Sequence, residues 1–258
     1  MDPRAVTWMT PSEIVTHGFA ASPVVMMNEA HSDLSRCPRT RRVGREILPA
    51  AHEAGCRHLA MEALPNLDEG PTCGVTTLPQ LGYLAQPEML EFVDAARLLG
   101  WTFVAYEIGW TVMPIEHRDN PLTWAATNHR ELVQAENLVT ASQQIDLAPM
   151  LVWCGNSHHA TIAAREWTPM GVHFRNLAGF EHFAIDQTQT ISFNPGDRPN
   201  IELTDDLRAT LNAQRGTAGF IASDPPPGLE VPDIFDALIL STDNEMVGEP
   251  PPGLVAAL

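Results

Sequence analysis

Four strand-length apolar runs in this chain each stop at titratable side chains, and that repeat constrains the fold more than any other feature. Val24–Met27 runs into Asn28, Glu29, Ala30 and His31. His58–Met61 runs into Glu62, and Thr102–Ala105 into Tyr106 and Glu107. Met150–Trp153 runs into "CGNSHHA", which carries His158 and His159. Between the runs lie segments of helical spacing. Arg41–Ala54 places Val43, Ile47, Leu48 and Ala51 on one face, with Gly55 as its stop. Pro87–Leu99 ends before Gly100, and Leu122–Gln143 reads as a long third helix. Strand, crossover helix, strand, repeated, predicts an α/β fold with a mostly parallel β-sheet flanked by helices. Ligands of such sheets bind outside the carboxyl ends of the strands. The active site is therefore expected at the C-terminal ends of the strands.

The rest of the chain says less. Pro65–Pro79 reads as a loop, "HFAIDQTQTISF" as a strand or hairpin, and "FDALILST" as a late strand. The pentapeptide "PPPGL" occurs at Pro225–Leu229 and again at Pro250–Leu254. These are two copies of a loop-like unit and do not make a structural repeat. The expected organisation is one domain over residues 1–258 with a Pro-rich C-terminal segment from about 223 to 258.

Charge narrows the function. The formal net charge is −17, which opposes a nucleic-acid backbone or an anionic membrane surface. Every Lys/Arg position is Arg, so Schiff-base and P-loop lysine chemistry is excluded. No apolar run approaches the roughly 18 residues of a membrane span, and the N-terminal stretch lacks a signal-peptide pattern. Cys37, Cys56, Cys73 and Cys154 form no C-x-x-C pair and read as reduced, buried small hydrophobes. A cytoplasmic protein with a small-molecule substrate is expected, binding neither nucleic acid nor membrane.

Glu29, His31, Glu62, His158 and His159 are the chemically useful set. A histidine beside a carboxylate suits general-base work, and two histidines with one or two carboxylates equally suit a divalent metal. Spacing leaves both open. No H-E-x-x-H and no G-x-S-x-G occurs. Ser157 beside His158 is a weak nucleophile candidate, because sequence neighbours rarely have triad geometry. Cys154, ending an apolar strand, reads as core. A lone His or Glu at a strand end is as readily a helix cap as a catalyst; four strand ends of the same character favour a site. The stretch "SRCPRTRRVGRE" (Arg36, Arg39, Arg41, Arg42, Arg45) reads as a solvated helix face, with Arg39 and Arg42 close enough to His31 to reach a pocket. Glu107, His159, Asn156 and Arg39 are the candidate substrate-binding residues.

"VVMMNEAHSD", "HLAMEAL", "HRELVQAENL" and "LVWCGNSHHA", in that order, resemble the superfamily of erythromycin esterase, the haem-binding ChaN proteins and the TraB/Tiki metalloproteases. The resemblance covers roughly residues 20–240. Asn28 stands where that group commonly has Gly, and Gly155 where its esterases commonly have a second His. The resemblance implies a hydrolase of an ester, lactone or related acyl bond, with a place in specialised metabolism. His31 would activate water, Glu29 and Glu62 would orient it or move protons, and Arg130 would support developing negative charge. His158 would be a second acid/base or a metal ligand. The Tiki branch implies a divalent metal (Mn, Co or Zn) on His31, His158 and Glu62. The ChaN branch implies haem, with Met26, Met27, His31 and His158 as axial candidates.

Overall fold

A computed structural model describes residues 7–32, 35–62, 64, 70–78, 82–109, 111–194 and 196–248. Asp33, parts of the Pro65–Pro79 loop and the second "PPPGL" lie outside these residues.

The chain opens with α1 (Pro11–Ala21), started by a capping box in which Thr10 and Glu13 bond each other's backbone N–H. Next come β1 (Val24–Glu29), the two-residue β2 (Ser35–Arg36), α2 (Pro38–Glu53), β3 (His58–Met61) and β4 (Thr72–Val75). A 3₁₀ turn (Gly82–Ala85) leads into α3 (Pro87–Leu98), β5 (Thr102–Ala105), α4 (Ile115–Asp119) and α5 (Trp124–Gln144). The chain continues through β6 (Met150–Gly155), α6 (Met170–Ala178), β7 (Phe183–Asp186), α7 (Asp205–Ala213), β8 (Thr217–Ile221), β9 (Ala237–Ser241) and β10 (Val247–Gly248).

Eight strands form one sheet in the order β4-β5-β3-β6-β1-β7-β9-β8. The six inner strands run parallel, and β4 and β8 close the edges antiparallel. β6 inserts between β1 and β3, pairing Met27 with Trp153 and Glu29 with Gly155. From β1 the chain first builds toward β5 and later toward β9, so the order reverses beside β1 and β6. Such a reversal opens a crevice at the strand ends.

Alternation along β1 divides the core. Val25 and Met27 face Ile47, Leu48 and Phe92 of α2 and α3, with Ile14 and Val15 of α1. Val24 and Met26 face Leu138 of α5 and Phe174 of α6 on the other side. A smaller core joins Leu211 of α7 to Phe220 and Leu240. Among the described residues no helix is long and apolar enough to cross a membrane. All four cysteines are free, and Cys37, Cys56 and Cys154 are buried.

The expected α/β architecture is present, with differences at element ends. β1 and β6 extend two residues beyond their apolar runs, so Asn28, Glu29, Cys154 and Gly155 are laddered. α2 begins at Pro38 rather than Arg41, because proline fits the first helical position, which needs no N–H donor. α5 begins at Trp124 rather than Leu122, since Thr123 caps the N–H of Ala126. The Pro65–Pro79 segment is not all loop: Thr72–Val75 pairs with β5 as an edge strand. "HFAIDQTQTISF" contributes only Phe183–Asp186 as strand. Gln187, Thr188, Gln189 and Thr190 then stay buried while spending their polar atoms on side-chain bonds.

α2 lies close to the sheet at Gly44. A Cβ built there would stand 2.6 Å from the Trp153 ring. Gly44→Ala is expected to destabilise the protein by about 1–3 kcal/mol through overpacking, despite alanine's better helix propensity. Urea denaturation of the two proteins checks this.

Candidate active site

The first polar group is built on β1. Its last residue, Glu29, is fully buried and sits at the end of the central ladder. Two residues on, His31 Nδ1 lies 3.2 Å from Glu29 Oε1, with the ring off the line of a good hydrogen bond. The other Glu29 oxygen takes the Nε of Arg41 at 2.6 Å, and both partners are fully buried. Arg41 also donates to Gln86, and its guanidinium lies 4.6 Å below the Tyr83 ring. Tyr83 in turn packs edge-on against His31, with ring centroids 5.7 Å apart. Burial pushes the Glu29 carboxyl up, but Arg41 and His31 together hold it below the usual carboxylate range. Burial pulls His31 down; the Glu29 contact and the Glu62 charge outweigh it, so its pKa is raised.

The second group is built on β6 and α5. The Nδ1 of His158 bonds the Oε1 of Glu131, a buried carboxylate that also accepts from Trp167 Nε1 at 3.0 Å and Met170 N at 2.6 Å. His158 Nε2 points the other way and stands 3.8 Å from Glu62 Oε1. Burial lowers the pKa of His158, and the Glu62 and Glu131 charges raise it further than that.

Glu62 joins the halves. From the end of β3 it accepts the Gly155 N–H of β6 at 2.7 Å and pairs with Arg130 of α5. Burial raises its pKa, and His158, Arg130 and His31 more than reverse this, leaving the carboxyl well below its ordinary value. Arg130 also spans Glu107, with Nε 3.1 and 3.0 Å from its two oxygens. Glu107 further accepts from Gln134 Nε2 and Ile108 N, both at 2.8 Å, and burial raises its pKa despite Arg130. Nη1 of Arg130 makes no hydrogen bond among the described residues.

A cleft of about 170 Å³ opens over this set, lined by His31, Glu62, Tyr83, Glu107, Arg130, Trp153 and Cys154. Larger hollows of about 380 and 450 Å³ lie elsewhere, and none joins a histidine to a paired carboxylate. Gly155 is part of the site's shape: a Cβ there would stand 2.3 Å from Cε1 of His31.

Of the residues singled out by sequence, Glu29, His31, Glu62, Glu107, Arg130 and His158 come together. Asn156, at φ +42°, connects β6 to His158, accepting from Asn28 through its backbone oxygen. His159 and Arg39 lie elsewhere. His159 is buried, stacked on Phe235, with Nε2 3.0 Å from the Ile185 carbonyl. Arg39 is buried and donates to Gln187, Asp243 O and Asn244. The reading of "SRCPRTRRVGRE" as a solvated face is corrected: Arg36, Arg39 and Arg41 are all buried, while Arg42 pairs with Asp243 at the surface. Cys154 is fully buried, and its thiol pKa is pushed well above the ordinary value by burial and nearby carboxylates, so it is no ready nucleophile.

Sequence reasoning missed Arg41, Glu131, Gln134, Tyr83 and Trp167. A signal existed for the first two. Arg41 shares a helical stripe with Gly44, Leu48 and Ala51, and Glu131 shares one with Ala135, Leu138 and Ser142; every one of these is buried.

The donors do not suit a metal. Arg130 holds the face of Glu62 that a cation would need, and among the described residues no three His, Cys, Asp or Glu side chains converge as ligands. Met26 and Met27 are buried on opposite faces of the sheet and neither lines the cleft, so neither is placed as a haem ligand there.

No family model and no curated protein matches the chain by sequence. Its fold is similar to that of the type III effector HopBA1, at 12% identity and a TM-score of 0.51, over 95% of this chain and 100% of that one. It is also similar to a Bacillus cereus protein at 11% identity and a TM-score of 0.51, covering 91% and 99% of the two chains. At these identities the likeness is one of fold.

Two buried histidines beside the site generate a stability prediction. The His159 backbone oxygen can only accept, so His182 keeps a proton on Nε2, which donates there at 2.8 Å. Burial pushes His159 down to about 3 and His182 down to about 4. Both folded values lie below the unfolded value of about 6.5, so this stability is present above pH 6.5 and is lost as pH falls. The raised His31 and His158 act oppositely, but their contribution is already complete below pH 6.5. Each neutral histidine is expected to cost about 1.4 kcal/mol per pH unit below 6.5, until pH nears its folded value. Urea denaturation at pH 6.5 and pH 5 tests this, and His159→Phe should flatten the slope.

Proposed function

We propose that the protein is a hydrolase cleaving an ester, lactone or related acyl bond with water activated by His31, without a metal. The observation that carries this reading is the pair of imidazoles at the strand ends. Each has its Nδ1 against a buried carboxylate, and Glu62 lies between them beneath the cleft.

A carboxylate on Nδ1 fixes the tautomer and leaves Nε2 to exchange protons. Neutral His31 takes a proton from water at Nε2 as the water oxygen attacks the acyl carbon. Glu29 stabilises the resulting imidazolium, and Arg41 keeps Glu29 ionised. Negative charge growing on the carbonyl oxygen meets Nη1 of Arg130. His158 lies against two carboxylates, Glu131 and Glu62, which favour its cationic form. It therefore donates a proton to the departing oxygen as the acyl–oxygen bond breaks. The products are a carboxylic acid and an alcohol, and the His31 proton returns to His158 through solvent. Proton transfer of this kind is worth about 10²–10⁴ in rate, and no covalent intermediate is needed.

p-Nitrophenyl acetate and an unactivated lactone are suitable first probes. His31→Ala is expected to lower kcat by at least about 100-fold, and Glu131→Gln by about 10-fold or more with KM little changed. Unchanged turnover in both His31→Ala and Glu62→Gln would sink the assignment. The pH profile should be bell-shaped. Its rising limb follows loss of the His31 proton and its falling limb loss of the His158 proton, both above the ordinary histidine value of about 6.5, because both are raised. Exhaustive chelation should leave the rate unchanged; a loss restored by one divalent ion would replace the metal-free reading.

A further inference from the structure

The last described strand returns to the loop that carries His31. β10 pairs antiparallel with β2, placing Val247 opposite Arg36 and Gly248 opposite Ser35. His31 is itself bridged to Arg36 across the same loop. Ser32 N donates to Ser35 O at 2.7 Å, and Cys37 N to Ala30 O at 2.9 Å, closing the turn. A two-residue strand such as β2 has little persistence without a partner, and β10 is its partner in a separate two-stranded sheet.

Three arginines fasten this returning segment to β2 and to the first turns of α2. Arg36 donates to Gly248 O at 3.3 Å while pairing with Glu88 of α3 at 3.1 Å. Arg39 donates to Asp243 O at 3.2 Å and to Asn244 Oδ1 at 3.0 Å. Arg42 pairs with the Asp243 carboxylate. On its far side Asn244 donates to Ser241 O at 2.6 Å and accepts from Thr190 at 3.2 Å, so the segment is bound on both flanks. The inner face of His31 meets Glu29 and Gly155, whereas its main chain is placed by β2.

We propose that the segment Asp243–Gly248 is a latch that positions His31, with Arg36, Arg39 and Arg42 as its fastenings. The latch acts through the loop and touches no reacting atom, so these are positioning residues. Its functional meaning rests on His31 being the base, but its structural content does not.

Two variants of the full chain test it. Asp243→Ala/Asn244→Ala removes side-chain fastenings, and Val247→Pro breaks the β10 pairing at an exposed position. Val247→Thr, which keeps an extended backbone, is the control. Amide exchange and the ring resonances of His31 are read by NMR. The latch predicts at least 10-fold faster exchange at Ser32 and Cys37 and a shifted His31 ring signal in both variants. Met26 and Val152 in the central strands should keep their protection, and Val247→Thr should match the wild type. A His31 signal unmoved while the latch amides exchange faster would overturn the proposal. So would loss of protection throughout the sheet, which would make the segment ordinary core. Neither readout needs turnover, so these results stand apart from the His31→Ala assay of the hydrolase reading.

Discussion

The ion pair between Glu29 and Arg41 is the constraint on which the rest depends. Both side chains are fully buried, and the Nε–Oε2 distance is 2.6 Å. Removing two charges from water costs several kcal/mol per ion, and a buried pair recovers this only when its remaining atoms are satisfied. Here Gln86 and the face of Tyr83 serve Arg41 and His31 lies against Glu29, while Glu29 Oε1 and Arg41 Nη2 are left without a hydrogen bond among the described residues. Breaking such a pair on one side typically costs about 3–5 kcal/mol. A well-packed apolar pair would serve stability as well. The pair does what an apolar contact could not: it keeps a carboxylate ionised behind an imidazole.

The second half of the site uses the same physics with different partners. Glu131 is held next to His158 by a helix-terminal N–H, an indole N–H and the imidazole itself. Glu62 and Glu107 would repel each other were Arg130 not shared between them. Glu62 is the better placed of the two, because it also receives the Gly155 N–H and faces His158. Glu107 is pushed toward its neutral form by burial, while Glu62 is held ionised. One arginine thus sorts two neighbouring carboxylates into different roles. Gly155 completes the arrangement by its lack of a side chain, since the His31 ring occupies the space a Cβ would take.

The parallel sheet and the strand ends that hold Glu29, Glu62, Glu107 and His158 were legible because short apolar runs and helical spacing are local signals. The edge strands were not. Thr72–Val75 sits half-exposed among Gly, Pro and Thr, and only its pairing with β5 makes it a strand. The partners behind the histidines were obscured for a different reason. The density of charge in "SRCPRTRRVGRE" reads as a solvated face, although Arg41 falls on the buried stripe of its helix. Glu131 likewise falls on the buried stripe of α5. A charged residue in register with an apolar stripe signals a buried partner, and the partner can be named only when the fold brings it there.

That rule also gives physical sense to a chain with arginine and no lysine. Arg130 reaches two carboxylates at once, and Arg39 spreads its donors over Gln187, Asp243 and Asn244. Arg41 divides its planar fork between Glu29 and Gln86 while presenting a face to Tyr83. An ammonium is a compact point charge that cannot span two partners in fixed directions and sheds its proton when buried. At exposed positions such as Arg198 lysine would serve equally, and nothing in the structure explains its absence there. Inside, the guanidinium is what lets a −17 chain place cations behind the carboxylates of the cleft without relying on solvent. Arg36, Arg39, Arg41 and Arg130 are therefore committed to carboxylates and carbonyls of the site and its flanking loop, where they balance buried acidic groups such as Glu29.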